Sequence, residues 1–219
     1  YAFNKKLALL IGIMVMIAGI LSISTVALGF GNYLAELINK NVVLIAISLI
    51  LVCALINYYS IKKVSKINEI TTLIQVIGLF IIIFLGFRFY GKVNYFEMPH
   101  GFNGVLQASA LIFFAYIGFE NIIKFEEETK NPSKNIPRAI INSILISSII
   151  YILVALAAVS VLSWEEIGKS NAPLALIAFS EFGRAAFIIL TMIALIAMGC
   201  TGLILLFTNS RLLYGMAEE

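Results

Sequence analysis

The chain has 219 residues, 61% of them hydrophobic and only 12% charged, with a mean hydropathy of +1.02. Soluble domains carry about 25% charged residues, so a water-soluble fold is excluded and an all-α polytopic membrane protein is expected. The net charge of +3 is spread between apolar blocks and there are two cysteines, which excludes a nucleic-acid-binding stripe and a disulfide framework.

A membrane-crossing helix takes roughly 20 mainly apolar residues, and six blocks qualify, at about 7–30, 42–60, 69–90, 104–125, 137–162 and 185–214. The first carries Ser22, Ser24 and Thr25, which suit either a cavity wall or hydrogen bonds between helices. Cys53 in the second block and Cys200 in the sixth sit inside apolar runs, as buried thiols do. His100, the one histidine, follows Pro99 in the loop before the fourth block and reads as a solvated residue, so neither a metal nor a cofactor is expected. Short polar connections make one transmembrane region rather than separate domains.

Orientation follows the lysines and arginines of the loops. One side receives ten of them (Lys5, Lys6, Lys62, Lys63, Lys66, Lys124, Lys130, Lys134, Arg138, Arg211) and the other receives five (Lys40, Arg88, Lys92, Lys169, Arg184). The richer side is cytoplasmic, and with it the 126–136 loop.

The fourth block departs from the rest. Within "FFAYIGFENIIKFEEETKNPSKNIPRAI", residues 113–140, a bilayer-length run carries Gly118 and then Glu120. Glycine costs a helix about 1 kcal/mol relative to alanine, and a carboxylate at the membrane centre costs about 2.5–3.5 kcal/mol on insertion scales. Two readings stay open. The helix breaks here and offers its freed backbone groups to a zwitterion, or Gly118 packs against a neighbouring helix while Glu120 reaches water or Lys124, four residues on. The turn beyond is simpler. Pro132 and Pro137 suit a first helical turn, Asn135 is positioned to cap the helix that follows, and Glu126, Glu127 and Glu128 read as a solvated helix end.

These residues carry a resemblance. Phe114 to Glu120, followed by Glu127, Glu128, Asn131, Pro132, Ile136, Pro137, Arg138, Ala139 and Ile140, closely resemble the central signature of amino acid permeases in the amino acid–polyamine–organocation superfamily. The closing "TNSRLLYGMAEE" is similar to the end of that family's eighth helix. The resemblance implies a five-plus-five inverted-repeat transporter fold, of which this chain holds helices three to eight as an incomplete core. Its partners are then the missing helices of the same transporter, the lipid bilayer and an amino acid substrate, with no nucleic acid.

The resemblance also implies roles. Phe114, Ala115, Tyr116, Ile117 and Gly118 match the sixth-helix break, whose backbone carbonyls take the substrate's α-ammonium in relatives. Glu120 matches an acidic position suited to proton response or gating. Gln75 falls where the cationic-amino-acid-transporter-like branch has a lysine, and a neutral amide cannot hold or release that proton. Cys200 and Thr201 fall near the eighth-helix part of a sodium-type site. The expected activity is secondary active amino acid transport at the plasma membrane, by proton-coupled symport or amino acid exchange with alternating access. The alternative is a channel or structural subunit without saturable transport. An enzyme is not expected, because one loop histidine, two buried thiols and no aspartate leave no convergent catalytic set.

Overall fold

The computed structural model describes residues 5–59, 64–116, 118, 122 and 129–218. Among them the elements are helical, as expected: α1 (Lys5–Ile38), α2 (Val42–Tyr59), α3 (Val64–Gly86), α4 (Gly101–Phe113), α5 (Pro132–Val161), α6 (Trp164–Lys169) and α7 (Pro173–Glu218). Short 3₁₀ turns follow α3 at Phe87–Phe89 and α4 at Phe114–Tyr116. By length and composition Leu7–Ile38, Asn68–Phe89, Pro132–Val161 and Pro173–Met216 are able to cross a membrane, and Val42–Tyr58 and Gly101–Tyr116 are shorter apolar helices.

Several helix ends differ from the expected ones, each for a local reason. α1 runs through Asn32, Tyr33 and Glu36 to Ile38, where Asn39 adopts a left-handed φ of 50° and donates its N–H to Ala35 O at 2.8 Å. That is a left-handed helix stop, for which asparagine is among the few tolerated residues. Asn41 then caps α2, its Oδ1 accepting from the N–H groups of Val43 (2.9 Å) and Leu44 (3.4 Å). α5 begins at Pro132, not near 137, behind Asn131 at φ 50°. Asn135 is therefore not its cap. It lies in the first turn and donates from Nδ2 to Lys130 O, while Pro137 stands inside the helix. Pro132 at the first position loses no bond there, since that N–H has no intrahelical partner in any helix. α7 starts twelve residues before the expected 185, and Gly183 (φ 69°, ψ −159°) interrupts its helical backbone.

The chain divides into two compact units, residues 1–81 with 164–219 and residues 82–163. In the first, α1, α2 and α7 pack against one another. Along α1, Gly12, Gly19 and Gly29 face Met216, Asn209 and Met198 of α7, so these two helices run antiparallel. Along α2, the Cys53 thiol lies 3.9 Å from Gly199 O and Asn57 Nδ2 donates to Leu203 O at 3.2 Å, so α2 runs parallel to α7. α3 joins antiparallel, with Thr71 against Cys200 and Gly78 against Ile193. Small residues at crossings let backbones approach, which is how membrane helices gain contact without a hydrophobic drive between them. Ala27, Ala46, Ala175 and Ala178 are buried accordingly, while many leucines and isoleucines of α1 and α2 face outward, as lipid exposure requires.

In the second unit α5 is the strut. Gly86 lies so close to it that an added Cβ would stand 2.6 Å from Ala157 Cα. Tyr90 donates its hydroxyl to Leu153 O at 3.1 Å. Tyr95 takes the Gly91 N–H at 2.9 Å and meets Ser160 Oγ at 2.7 Å. The loop between α3 and α4 is thus fastened to the last turns of α5.

Candidate substrate site

Regular α-helix ends at Phe113. The chain tightens into a 3₁₀ turn over Phe114–Tyr116, and Gly118 sits at φ +120°, which L side chains rarely adopt. Of the five residues expected at a break, Phe114, Ala115, Tyr116 and Gly118 lie on this irregular main chain, and Ile117 lies outside the described residues. Glu120, Lys124 and Glu126–Glu128 also lie outside them. Phe114 is 39% exposed and carries no polar atom beyond its main chain, so it is suited to covering a ligand rather than hydrogen-bonding it.

The carbonyls at a helix end have no intrahelical donor, and the irregular turn places one of them against α5. Tyr151 donates its hydroxyl to Ala115 O at 3.2 Å. Its ring stands edge-on to that of Tyr116, with centroids 5.6 Å apart. The Tyr116 hydroxyl meets Ser148 Oγ at 2.9 Å, and Ser148 in turn donates to Ile144 O at 2.7 Å. The arrangement offers main-chain acceptors, two aromatic faces and one exposed phenylalanine. Such a set favours a cationic or ammonium group at the carbonyls and apolar groups at the rings. Sequence reasoning missed Ser148 and Tyr151. Their spacing, three residues apart on one face of α5, was the available signal.

The remaining candidates fall in the other unit. Cys200 is buried in the seam of α7 with α3. Its sulfur receives the Thr71 hydroxyl at 3.0 Å and lies 3.7 Å from Asn68 Oδ1. Thr201 points elsewhere, being exposed and bonded back to Ala197 O at 2.9 Å. Successive helical residues diverge by about 100°, so this adjacent pair does not converge on one point. Gln75 is half-buried and shares a face of α3 with Thr71 and Gly78, the two residues that meet α7. Ser22, Ser24 and Thr25 each donate to the carbonyl four residues back on α1, at 2.8 to 2.9 Å. Their protons are thus used within the helix rather than between helices.

With that geometry in hand, comparison with known proteins decides the family. Residues 1–219, the whole chain, match the family described as amino acid permease. The chain belongs to the amino acid permease family. Among curated relatives it is 29% identical over 163 residues to the branched-chain amino acid permease BcaP of Bacillus subtilis (strain 168), covering 74% of this chain and 35% of the relative. The methylthioribose transporter of the same organism is 26% identical over 237 aligned positions, covering 99% of this chain and 51% of the relative. Its glutamate/serine transporter AimA is 32% identical over 186 residues, covering 78% and 34%. The chain therefore spans about a third to a half of the length of these relatives. Membership places this chain in a family of polytopic membrane permeases, not of enzymes, and its described residues are all-helical in keeping with that.

Proposed function

We infer that this chain forms part of a secondary active amino acid transporter working by alternating access, through proton-coupled symport or amino acid exchange. The observation that carries the reading is the end of regular helix at Phe113 inside the family's signature segment, followed by Gly118 at positive φ. Main-chain oxygens of Phe114, Ala115, Tyr116, Ile117 and Gly118 receive the substrate's α-ammonium, and Phe114 closes over it. Glu120 serves coupling or gating. Gln75, Cys200 and Thr201 mark the place of a cation site, and the neutral amide at Gln75 shifts proton coupling onto another group. Relatives named for branched-chain amino acids and for glutamate and serine support amino acids as the substrate class. In this reading all six apolar blocks span the plasma membrane and the 126–136 loop is cytoplasmic.

Uptake of radiolabelled amino acids into proteoliposomes by the full-length protein tests this. Saturable, stereospecific uptake of at least one of the twenty is expected, driven by a pH gradient or by internal amino acid. Flux without saturation or competition would make the protein a channel, and no uptake under either condition would reject transport.

A further inference from the structure

The Ala115 carbonyl, one of the acceptors assigned above to the substrate's amine, is held by a side chain of the protein itself. We propose that Tyr151 is a positioning residue that stands in for the substrate's ammonium group while the transporter is empty. The proposal rests on the transport reading above and deepens it.

A carbonyl outside the helical ladder within the hydrocarbon needs a donor at every stage of the cycle, because no lipid group supplies one. With substrate bound, the ammonium supplies it. With the cavity empty and closed, something else must, and the Tyr151 hydroxyl is the donor at Ala115 O. Three features suit it to a replaceable bond. It is neutral and, at 3.2 Å, longer than the range of about 2.5–3.0 Å usual for a hydroxyl donor, whereas an ammonium makes a charge-assisted bond of about twice the strength. Its ring is steadied independently by the edge contact with Tyr116, which Ser148 anchors in turn. And Tyr151 lies on α5 while its acceptor lies on the break, so displacing the hydroxyl removes one of the two side-chain fastenings between these elements and leaves the Tyr116–Ser148 contact. Occupancy of the site is thereby reported to α5 through one hydrogen bond.

The test is Tyr151→Phe in the full-length protein, which keeps the ring and removes the donor. Net uptake requires the empty carrier to return, whereas exchange returns it loaded. In the variant the empty carrier must close around an unpaired carbonyl, so net uptake falls while exchange is preserved. The ratio of exchange to net uptake is expected to rise about five-fold. The Kd for radiolabelled L-leucine (or, where leucine is not carried, the amino acid taken up fastest) falls about three- to ten-fold, as one net hydrogen bond of competition supports. The Kd for the matching 2-oxo acid, which lacks the amine, stays unchanged. Equal loss of exchange and net uptake, or an unchanged or weaker Kd for the amino acid, overturns the proposal. The equilibrium Kd is read on the solubilised protein, so the outcome is decided even where the variant moves nothing. A wild-type protein that binds and carries none of the twenty defeats the transport reading itself. Wild-type transport with an indifferent Tyr151→Phe defeats the role of Tyr151 alone.

Discussion

Gly86 and Gly12 present the same nominal obstacle to a methyl group and should answer it differently. A Cβ on Gly86 would stand 2.6 Å from Ala157 Cα and 3.0 Å from Ala157 O, both belonging to the backbone of α5 or fixed to it. A Cβ on Gly12 would stand 2.8 Å from Met216 Sδ, the far part of a flexible side chain. Ordinary contact begins near 3.4 Å, so Gly86→Ala needs at least about 0.8 Å of movement between the end of α3 and α5, more where Ala157 Cβ stands closer still, and no rotamer supplies it. Overpacking of this kind costs about 1–3 kcal/mol. Met216 has three rotatable bonds and yields by changing rotamer, so Gly12→Ala costs less than about 0.5 kcal/mol, and the helical propensity of alanine offsets part of that. The assay is the thermal midpoint of the detergent-solubilised protein, followed by size-exclusion fluorescence. Gly86→Ala should lower it clearly and Gly12→Ala should leave it within error. Equal midpoints for the two variants would refute the argument that rigid and flexible neighbours decide the cost.

Three further substitutions test other parts of the fold. Asn41→Ala removes the acceptor for the Val43 and Leu44 amides and should cost about 1 kcal/mol, visible as faster hydrogen exchange confined to the first turn of α2. Gly183→Ala meets no atom within 4 Å, so its cost is purely conformational. At φ 69° and ψ −159° that cost is about 1–3 kcal/mol, and the variant should lower the thermal midpoint despite the open space. Thr191→Val should do the opposite. The Thr191 hydroxyl is fully buried with no hydrogen-bond partner among the described residues, so an apolar isostere relieves about 1 kcal/mol of desolvation and raises the midpoint.

Much of the fold was readable because apolar length is a strong signal and the loops between blocks are short. What escaped the sequence depended on single polar residues near helix ends. Asn32, Tyr33 and Glu36 look like a loop, yet they continue α1, because none of them breaks a helix and only Asn39 in the left-handed region stops it. Asn135 looked like a cap because it precedes Pro137, but Pro132 nucleates α5 five residues earlier and leaves Asn135 inside the first turn. The helix from Pro173 to Gly183 was missed because its polar residues interrupt the apolar run. At the candidate site, glycine marked the place where α-helix is hard to maintain, and the helix ends five residues before it, at Phe113. Its hydrogen-bond partners on α5 are separated from it by more than 30 residues, and tertiary pairing of that kind leaves no trace in local pattern.

Both flanks of α4 are fastened to the same helix. Before it, Gly86, Tyr90 and Tyr95 engage Ala157, Leu153 and Ser160. After it, Ala115 and Tyr116 engage Tyr151 and Ser148. These anchor points on α5 lie within thirteen residues of one another, about 18 Å of helix. Such spacing makes α5 a short rigid rod between the entry and the exit of α4. A rigid rod transmits displacement rather than absorbing it, so movement at the break must either part its attachments at Ala115 and Tyr116 or pull on the Tyr90 and Tyr95 clamps. The first comprises a 3.2 Å bond and the 2.9 Å Tyr116–Ser148 contact. The second comprises a 2.7 Å contact, a 3.1 Å bond and close backbone packing at Gly86. Of all these attachments the 3.2 Å Tyr151–Ala115 bond is the longest hydrogen bond and gives way first, which is the order the proposed binding at Ala115 requires.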